Sequence, residues 1–126
     1  MKFLLTLTAL IEALTGLGLL IVPAIVVKLL LGAEISGAAI PLGRVAGAAL
    51  LALGVACWRA RGDTQSRAAR GLIAAMILYN LGAVGVLGDA GIQSTTVGIA
   101  LWPAVGLHAV LAVWCATRVE SFKAAS

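Results

Sequence analysis

The sequence predicts an all-α fold, an integral membrane four-helix bundle that forms a single transmembrane domain over residues 1–126. Hydrophobic residues make up 62% of the chain and charged residues 11%, with a mean hydropathy of +1.11. A soluble domain is about 45–50% apolar, so water is not the expected solvent. The chain also holds four apolar stretches close to the roughly 20 residues that cross a bilayer core.

The first predicted helix covers residues 4–27 and ends near Lys28. A secretory signal is the alternative for this end of the chain, because Lys2 precedes the apolar run. The apolar part of a signal peptide is only about 7–15 residues long and leads to a small-residue cleavage site. This run is longer and contains Glu12, so we expect a retained helix.

The other three predicted helices cover residues 38–58, 71–88 and 97–117, and Gly-rich or charged segments separate them. A membrane barrel would need alternating segments of about 10 residues, and none is visible. Backbone polar groups in lipid must pair within their own segment, so helices are the expected spanning elements.

The distribution of lysine and arginine predicts the orientation, because cytoplasmic loops are enriched in both. With the N-terminus and the C-terminus cytoplasmic, the outer loops carry only Lys28 and Arg44 falls inside the second helix. We therefore expect a multi-pass protein of the inner (plasma) membrane in one orientation. The inner side would carry seven basic residues, namely Lys2, Arg59, Arg61, Arg67, Arg70, Arg118 and Lys123.

Several classes of site lack support in the sequence. Cys57 and Cys115 have no CxxC spacing and are expected to be packing residues, and with a single histidine, His108, they do not form a metal-ligand cluster. We expect no metal and no cofactor. The lipid bilayer is the expected partner and nucleic acid is not, because no basic stripe is interleaved with aromatics. An enzyme is the least expected class, since no nucleophile has an identifiable neighbouring base.

Small residues on the second helix predict a close packing surface. Gly43 and Gly47 form a GxxxG pair and Gly54 extends the same side. In lipid, close backbone approach through small residues replaces the hydrophobic drive between helices. Gly82 and Gly85 give the third helix a similar surface. The spacing leaves open whether these surfaces meet within one chain, in a homo-oligomer or on another membrane protein.

Polar residues at membrane depth form the candidate site. Threading the helices places Glu12, Asn80 and His108 near one level, with Arg44 higher on the second helix and Tyr79 and Trp102 as flanking aromatics. An unpaired charge at the bilayer centre costs about 2.5–3.5 kcal/mol on insertion scales. One interpretation is a buried Glu12–Arg44 pair with interhelical hydrogen bonds from the other two residues. The other is a small polar cavity that binds a ligand or takes up a proton.

The chain resembles small uncharacterised four-helix inner-membrane proteins of bacteria and, in outline, the DoxX-like families. The likeness rests on LTLTALIEALTGLGLL at residues 5–20, Gly43-Arg44, Tyr79-Asn80, and Leu101-Trp102-Pro103 with His108. The resemblance implies the fold and the membrane, and it carries over no catalytic residue.

The chain is also similar to small multidrug resistance transporters, which have four helices and one membrane-embedded Glu in the first. Glu12 stands at a comparable place, but Arg44, the sparse aromatics and the charge bias depart from that family. Two functions follow as expectations: a non-enzymatic membrane component or interaction subunit, and a small proton-coupled transporter or ligand carrier that uses Glu12.

Overall fold

The computed structural model describes residues 1–63 and 66–123, with side chains as far as Val119. Within this part of the chain all regular structure is helical, which confirms the all-α prediction. Four of the helices are long and apolar enough to cross a membrane, as expected. Thr64 and Gln65 of the predicted charged loop, and the side chain of Lys123, lie outside the described part. The five helices are α1 (Lys2–Ile21), α2 (Pro23–Leu31), α3 (Ala39–Ala60), α4 (Arg67–Gln93) and α5 (Leu101–Lys123).

The expected first helix, residues 4–27, is interrupted at Val22. The backbone there has φ −132° and ψ 57°, and Pro23, which has no N–H to donate, begins α2. A Cβ built on Gly18 would lie 3.2 Å from Cγ2 of Val26. In one continuous helix these two residues would be about 12 Å apart along the axis. The chain therefore bends sharply at the break, and α2 packs against the end of α1.

The glycines of α3 bring its backbone against that of α1. A Cβ on Gly47 would lie 2.7 Å from the carbonyl oxygen of Gly16 and 2.8 Å from the backbone nitrogen of Leu20. One on Gly54 would lie 3.0 Å from the backbone of Ala13. Later residues of α3 thus meet earlier residues of α1, so the two helices are antiparallel. Only glycine permits this separation without moving a helix.

The α4 and α5 helices form the second closely packed pair, while α3 and α4 touch at few points. Ser66 caps α4, because its side-chain oxygen accepts a hydrogen bond of 3.1 Å from the backbone nitrogen of Ala69. Gly82 and Gly85 of α4 and Gly106 of α5 face open space instead. The small-residue surface expected on the third spanning helix therefore packs against nothing among the residues that the structure describes.

One end of the bundle holds the hydrophobic core, and we call it the closed end. The first turns of α1 and α4 and the last turns of α3 and α5 meet there, so these helix ends lie on the same side. Their buried side chains form one cluster, comprising Leu4, Leu5, Ala9, Cys57, Ile73, Met76, Leu111 and Cys115.

At the opposite end, α2 is joined to the segment that precedes α5. The backbone nitrogen of Gly98 donates to the Leu30 carbonyl oxygen at 3.1 Å, and that of Ala100 donates to the Leu29 carbonyl oxygen at 2.9 Å. These two bonds, which we call the tether, occupy carbonyls that the end of a helix otherwise leaves unpaired. Any side chain at Gly98 would overlap the Leu29 carbonyl. The tether thus connects the α1/α3 side of the bundle to the α4/α5 side.

Candidate functional site

A cleft of about 980 Å³ separates the two helix pairs above the closed end. Each of the five helices contributes to its wall, and α2 contributes Val26, Leu29 and Leu30. Pockets that hold small organic ligands measure roughly 300–1,000 Å³, so this cleft lies at the large end of that range. Two of the lining side chains, Leu14 of α1 and Leu78 of α4, are more than two-thirds exposed. The cleft therefore opens sideways, onto the apolar outer surface of the helix bundle.

Polar side chains lie where the cleft meets the closed end. Glu12, Tyr79 and His108 line the cleft, and Asn80 is fully buried next to them. We call these four residues the polar layer. One helical turn further toward the closed end, the positions on α1, α4 and α5 already belong to the hydrophobic core, as Ala9, Met76 and Leu111. The polar layer is thus the floor of the cleft, and aliphatic side chains form most of its walls.

Glu12 is the most deeply placed ionisable group in the polar layer, with 1% of its surface exposed. The hydroxyl of Tyr79 is the hydrogen-bonding group beside its carboxyl. The second carboxyl oxygen, Oε1, is buried without a hydrogen-bond partner, and so is Oγ1 of Thr8 one turn away. Buried polar atoms are paired in the great majority of native structures, so an unpaired one calls for an explanation. A binding role for the carboxyl is one such explanation.

Asn80 and His108 join α4 to α5 within the polar layer. Oδ1 of Asn80 lies 2.8 Å from Nδ1 of His108, and Nδ2 of Asn80 donates to the Met76 carbonyl oxygen at 2.7 Å. The ring of Tyr79 meets the imidazole edge-on, with centroids 5.5 Å apart. The imidazole is therefore held on two sides, by an amide and by an aromatic ring.

Arg44 does not join the polar layer. Both Arg44 and Glu12 are described, and no ion pair within 4 Å connects them. Gly54 of α3 packs against Ala13, next to Glu12, whereas Arg44 follows Gly43, which packs near the break between α1 and α2. That separation of about ten residues along α3 corresponds to roughly 15 Å, and the Arg44 side chain is exposed. The Glu12–Arg44 pair is thus a wrong interpretation of the sequence.

Trp102 also lies apart from the polar layer. Its side chain is 52% exposed, and its indole lies against Gly91 near the far end of α4. Cys57 and Cys115 are free thiols buried in the closed end. In the part of the chain that the structure describes, no three His, Cys, Asp or Glu residues are grouped closely enough to hold a metal ion.

The far end carries an exposed ion pair instead. Nζ of Lys28 donates to Oε1 of Glu34 at 2.9 Å, and both side chains are mostly exposed. The hydrogen bond and the positive charge of Lys28 lower the pKa of the Glu34 carboxyl. This pair lies outside the long helices and does not line the cleft.

Sequence reasoning missed the cleft itself and the direct contact of Tyr79 with Glu12. It also missed Thr15, which lines the cleft, and the buried Thr8. The spacing of Thr8, Glu12 and Thr15 in the sequence could have revealed the two threonines. Positions 8, 12 and 15 are four and three residues apart, which places them on one face of a helix.

No protein-family model, curated protein or solved structure matches this chain. The likeness to DoxX-like families and the likeness to small multidrug resistance transporters therefore stay predictions.

Proposed function

We propose that this protein binds a small lipophilic ligand inside the membrane, with the apolar part of the ligand in the cleft and its polar head on the polar layer. The observation that carries the proposal is the polar floor of a large apolar cleft, where Glu12 has a buried oxygen without a partner. Sites for small organic molecules typically combine apolar walls with a few convergent polar groups. Intramembrane ionisable residues mark ligand or proton pathways by default.

The lateral opening supports entry from the lipid phase. A ligand that partitions into the bilayer reaches the cleft past Leu14 and Leu78 without crossing the closed end. Transfer of its apolar surface from lipid to an aliphatic wall is nearly neutral, because lipid chains are as apolar as leucine. Affinity and selectivity must therefore come from shape and from the polar layer.

The location and the orientation of the protein belong to the same proposal. We place it in the inner membrane with both ends in the cytoplasm, because basic residues concentrate at the closed end. The closed end then faces the cytoplasm, and the cleft lies in the outer half of the bilayer.

A proton-coupled carrier of lipophilic cations is a second candidate. It is favoured by the isolation of Glu12, because no basic residue appears among the described residues that line the cleft. A cation or a proton would supply the missing counter-charge. Uptake of a cationic dye into proteoliposomes, driven by a pH gradient and lost in Glu12→Gln, would distinguish this carrier from a binding protein.

An interaction subunit, the other function expected from sequence, would depend instead on the part of the open small-residue surface of α4 that lies outside the cleft, at Gly85. It predicts a stoichiometric partner that co-purifies with the wild-type protein and is lost when this surface is filled.

The proposal is tested by photolabelling with a diazirine-bearing hexadecanol in bicelles. The matched variants are Gly82→Trp, which fills the cleft, and Gly85→Trp, which lies one turn away and outside its wall. Neither glycine has an atom within 4 Å of an added Cβ, so both variants should fold. A ligand would have to share the cleft with the tryptophan side chain, and such overpacking costs about 1–3 kcal/mol. Gly82→Trp should therefore weaken ligand binding, and with it labelling, about tenfold or more. Equal labelling of both variants, or labelled peptides that map away from α1 and α4, would refute the binding function.

A further inference from the structure

The buried amide of Asn80 determines where the proton of His108 lies. A backbone carbonyl oxygen only accepts hydrogen bonds, so the Asn80 atom 2.7 Å from the Met76 oxygen must be the NH₂ group. The side-chain oxygen of Asn80 consequently faces His108, with Oδ1 2.8 Å from Nδ1. An amide oxygen cannot donate, so Nδ1 must carry the hydrogen. Asn80 is fully buried.

The other ring nitrogen of His108 is then an acceptor. In a neutral imidazole with its hydrogen on Nδ1, Nε2 holds a lone pair. Nε2 lies on the side of the ring away from Asn80, and His108 lines the cleft. Among the described residues, none is seen to donate to Nε2. The cleft floor thus presents a nitrogen lone pair to whatever occupies it.

Glu12 adds a second acceptor to the same floor. A carboxyl group keeps an accepting oxygen in either protonation state, and Oε1 of Glu12 is buried with no partner. No Lys or Arg side chain appears among the described residues that line the cleft. An anionic head would therefore meet acceptors without a compensating cation, and a head that can only accept would leave the lone pair of His108 Nε2 unpaired, and an ionised Glu12 as well.

We propose that the cleft selects apolar molecules whose head is a hydrogen-bond donor, a hydroxyl or an amine, over molecules with an anionic or acceptor-only head. This inference rests on the proposed function, and it specifies the ligand through the two acceptors, His108 Nε2 and Glu12. Removal of one partner from a buried hydrogen bond leaves the other unsatisfied, which is why the discrimination is strong.

The first test is the ¹⁵N spectrum of the imidazole, which is unambiguous because the chain has a single histidine. We expect a neutral ring with the hydrogen on Nδ1 and a lone pair on Nε2 near pH 7. A hydrogen on Nε2, in either the other neutral tautomer or the imidazolium, overturns the inference.

The second test is competition against the hexadecanol photolabel with four probes of one chain length. These are hexadecanol, hexadecylamine, methyl hexadecyl ether and hexadecanoate. The alcohol and the amine should compete about tenfold better than the ether, and hexadecanoate should compete least. If hexadecylamine competes better than hexadecanol, the cleft prefers a cationic donor head. If hexadecanol competes better, it prefers a neutral donor head. Both results support a donor head.

The variant His108→Phe keeps an aromatic ring beside Tyr79 and removes the acceptor. It should reduce the advantage of the alcohol over the ether severalfold, because the alcohol loses its acceptor and the ether no longer leaves the Nε2 lone pair unpaired. If His108→Phe does not fold, Asn80→Leu provides the second variant, because it frees the ring to take either tautomer. The alcohol advantage should then shrink together with the ¹⁵N signal of the Nδ1–H form.

The outcomes separate this inference from the function on which it rests. Equal competition by alcohol and ether, or strongest competition by hexadecanoate, overturns the donor-head inference and leaves a binding cleft. Failure of all four probes, with labelling also insensitive to Gly82→Trp, overturns the proposed function itself.

Discussion

Replacing Glu12 with Gln should leave the free energy of unfolding within about 1 kcal/mol of the wild-type value. Loss of one partner of a buried ion pair costs about 3–5 kcal/mol, because it strands the other charge. Glu12 has no ion-pair partner within 4 Å, so that cost does not arise here. Glutamine keeps a carbonyl oxygen for the Tyr79 hydroxyl and adds a buried NH₂ group, an exchange worth about 1 kcal/mol in either direction.

The measurement is reversible unfolding in bicelles near pH 7, for wild type, Glu12→Gln, Arg44→Gln and the double variant. Arg44 is exposed and distant, so its substitution is the matched control, and the two effects should add within about 0.5 kcal/mol. Destabilisation by more than about 2 kcal/mol in Glu12→Gln, rescued by the second substitution, would refute this reasoning. It would show that the two side chains form a buried pair in the membrane.

Two further predictions concern packing and charge. Gly47→Leu should destabilise the protein by about 1–3 kcal/mol, because its side chain meets the backbone of Gly16, which moves only with α1. Gly106 faces open space, so Gly106→Leu should lower the free energy of unfolding by less than about 0.5 kcal/mol. Equal destabilisation by Gly47→Leu and Gly106→Leu, measured by unfolding in bicelles, would contradict the close approach of α1 and α3. Lys28→Met should raise the pKa of Glu34 toward its ordinary value, since Lys28 lowers it, whereas Lys2→Met should not. A pKa that is lower in the folded state stabilises the fold above the unfolded-state pKa, and this contribution disappears as the pH falls through the folded-state pKa. An NMR titration of Glu34 that shows no change in Lys28→Met would contradict the assignment.

The fold class was predictable because the apolar stretches have the length that a bilayer requires. The break at Val22 was less visible, although the residue before a proline is biased away from helix and the apolar run is longer than one crossing needs. What the sequence lacks is the direction of the chain after such a break. That direction depends on the contact of Gly18 with Val26 and on the tether, which joins segments far apart in sequence.

The candidate site was predictable in part, because residue type and depth can be read from a sequence but helix rotation cannot. Glu12, Asn80 and His108 do lie close to one level. Arg44 directly follows Gly43 and is therefore rotated about 100° from it around the axis of α3. Once the glycine surface faces α1, Arg44 is exposed. A cleft is harder still to foresee, because it depends on where two pairs of helices fail to touch.

The tether also determines when the cleft can form during synthesis of the chain. Leu30 and Gly98 are separated along the chain by two whole helices, α3 and α4. During synthesis, α1 and α3 are able to pair early, and α4 and α5 pair with each other after that, since chains fold from the N-terminal end onward. The bonds to Gly98 and Ala100 form only once the segment before the last helix has emerged. A nascent chain that stops after α4 therefore contains Glu12 but lacks the α5 wall of the cleft with His108, so the proposed binding site is complete only once the final helix is in place.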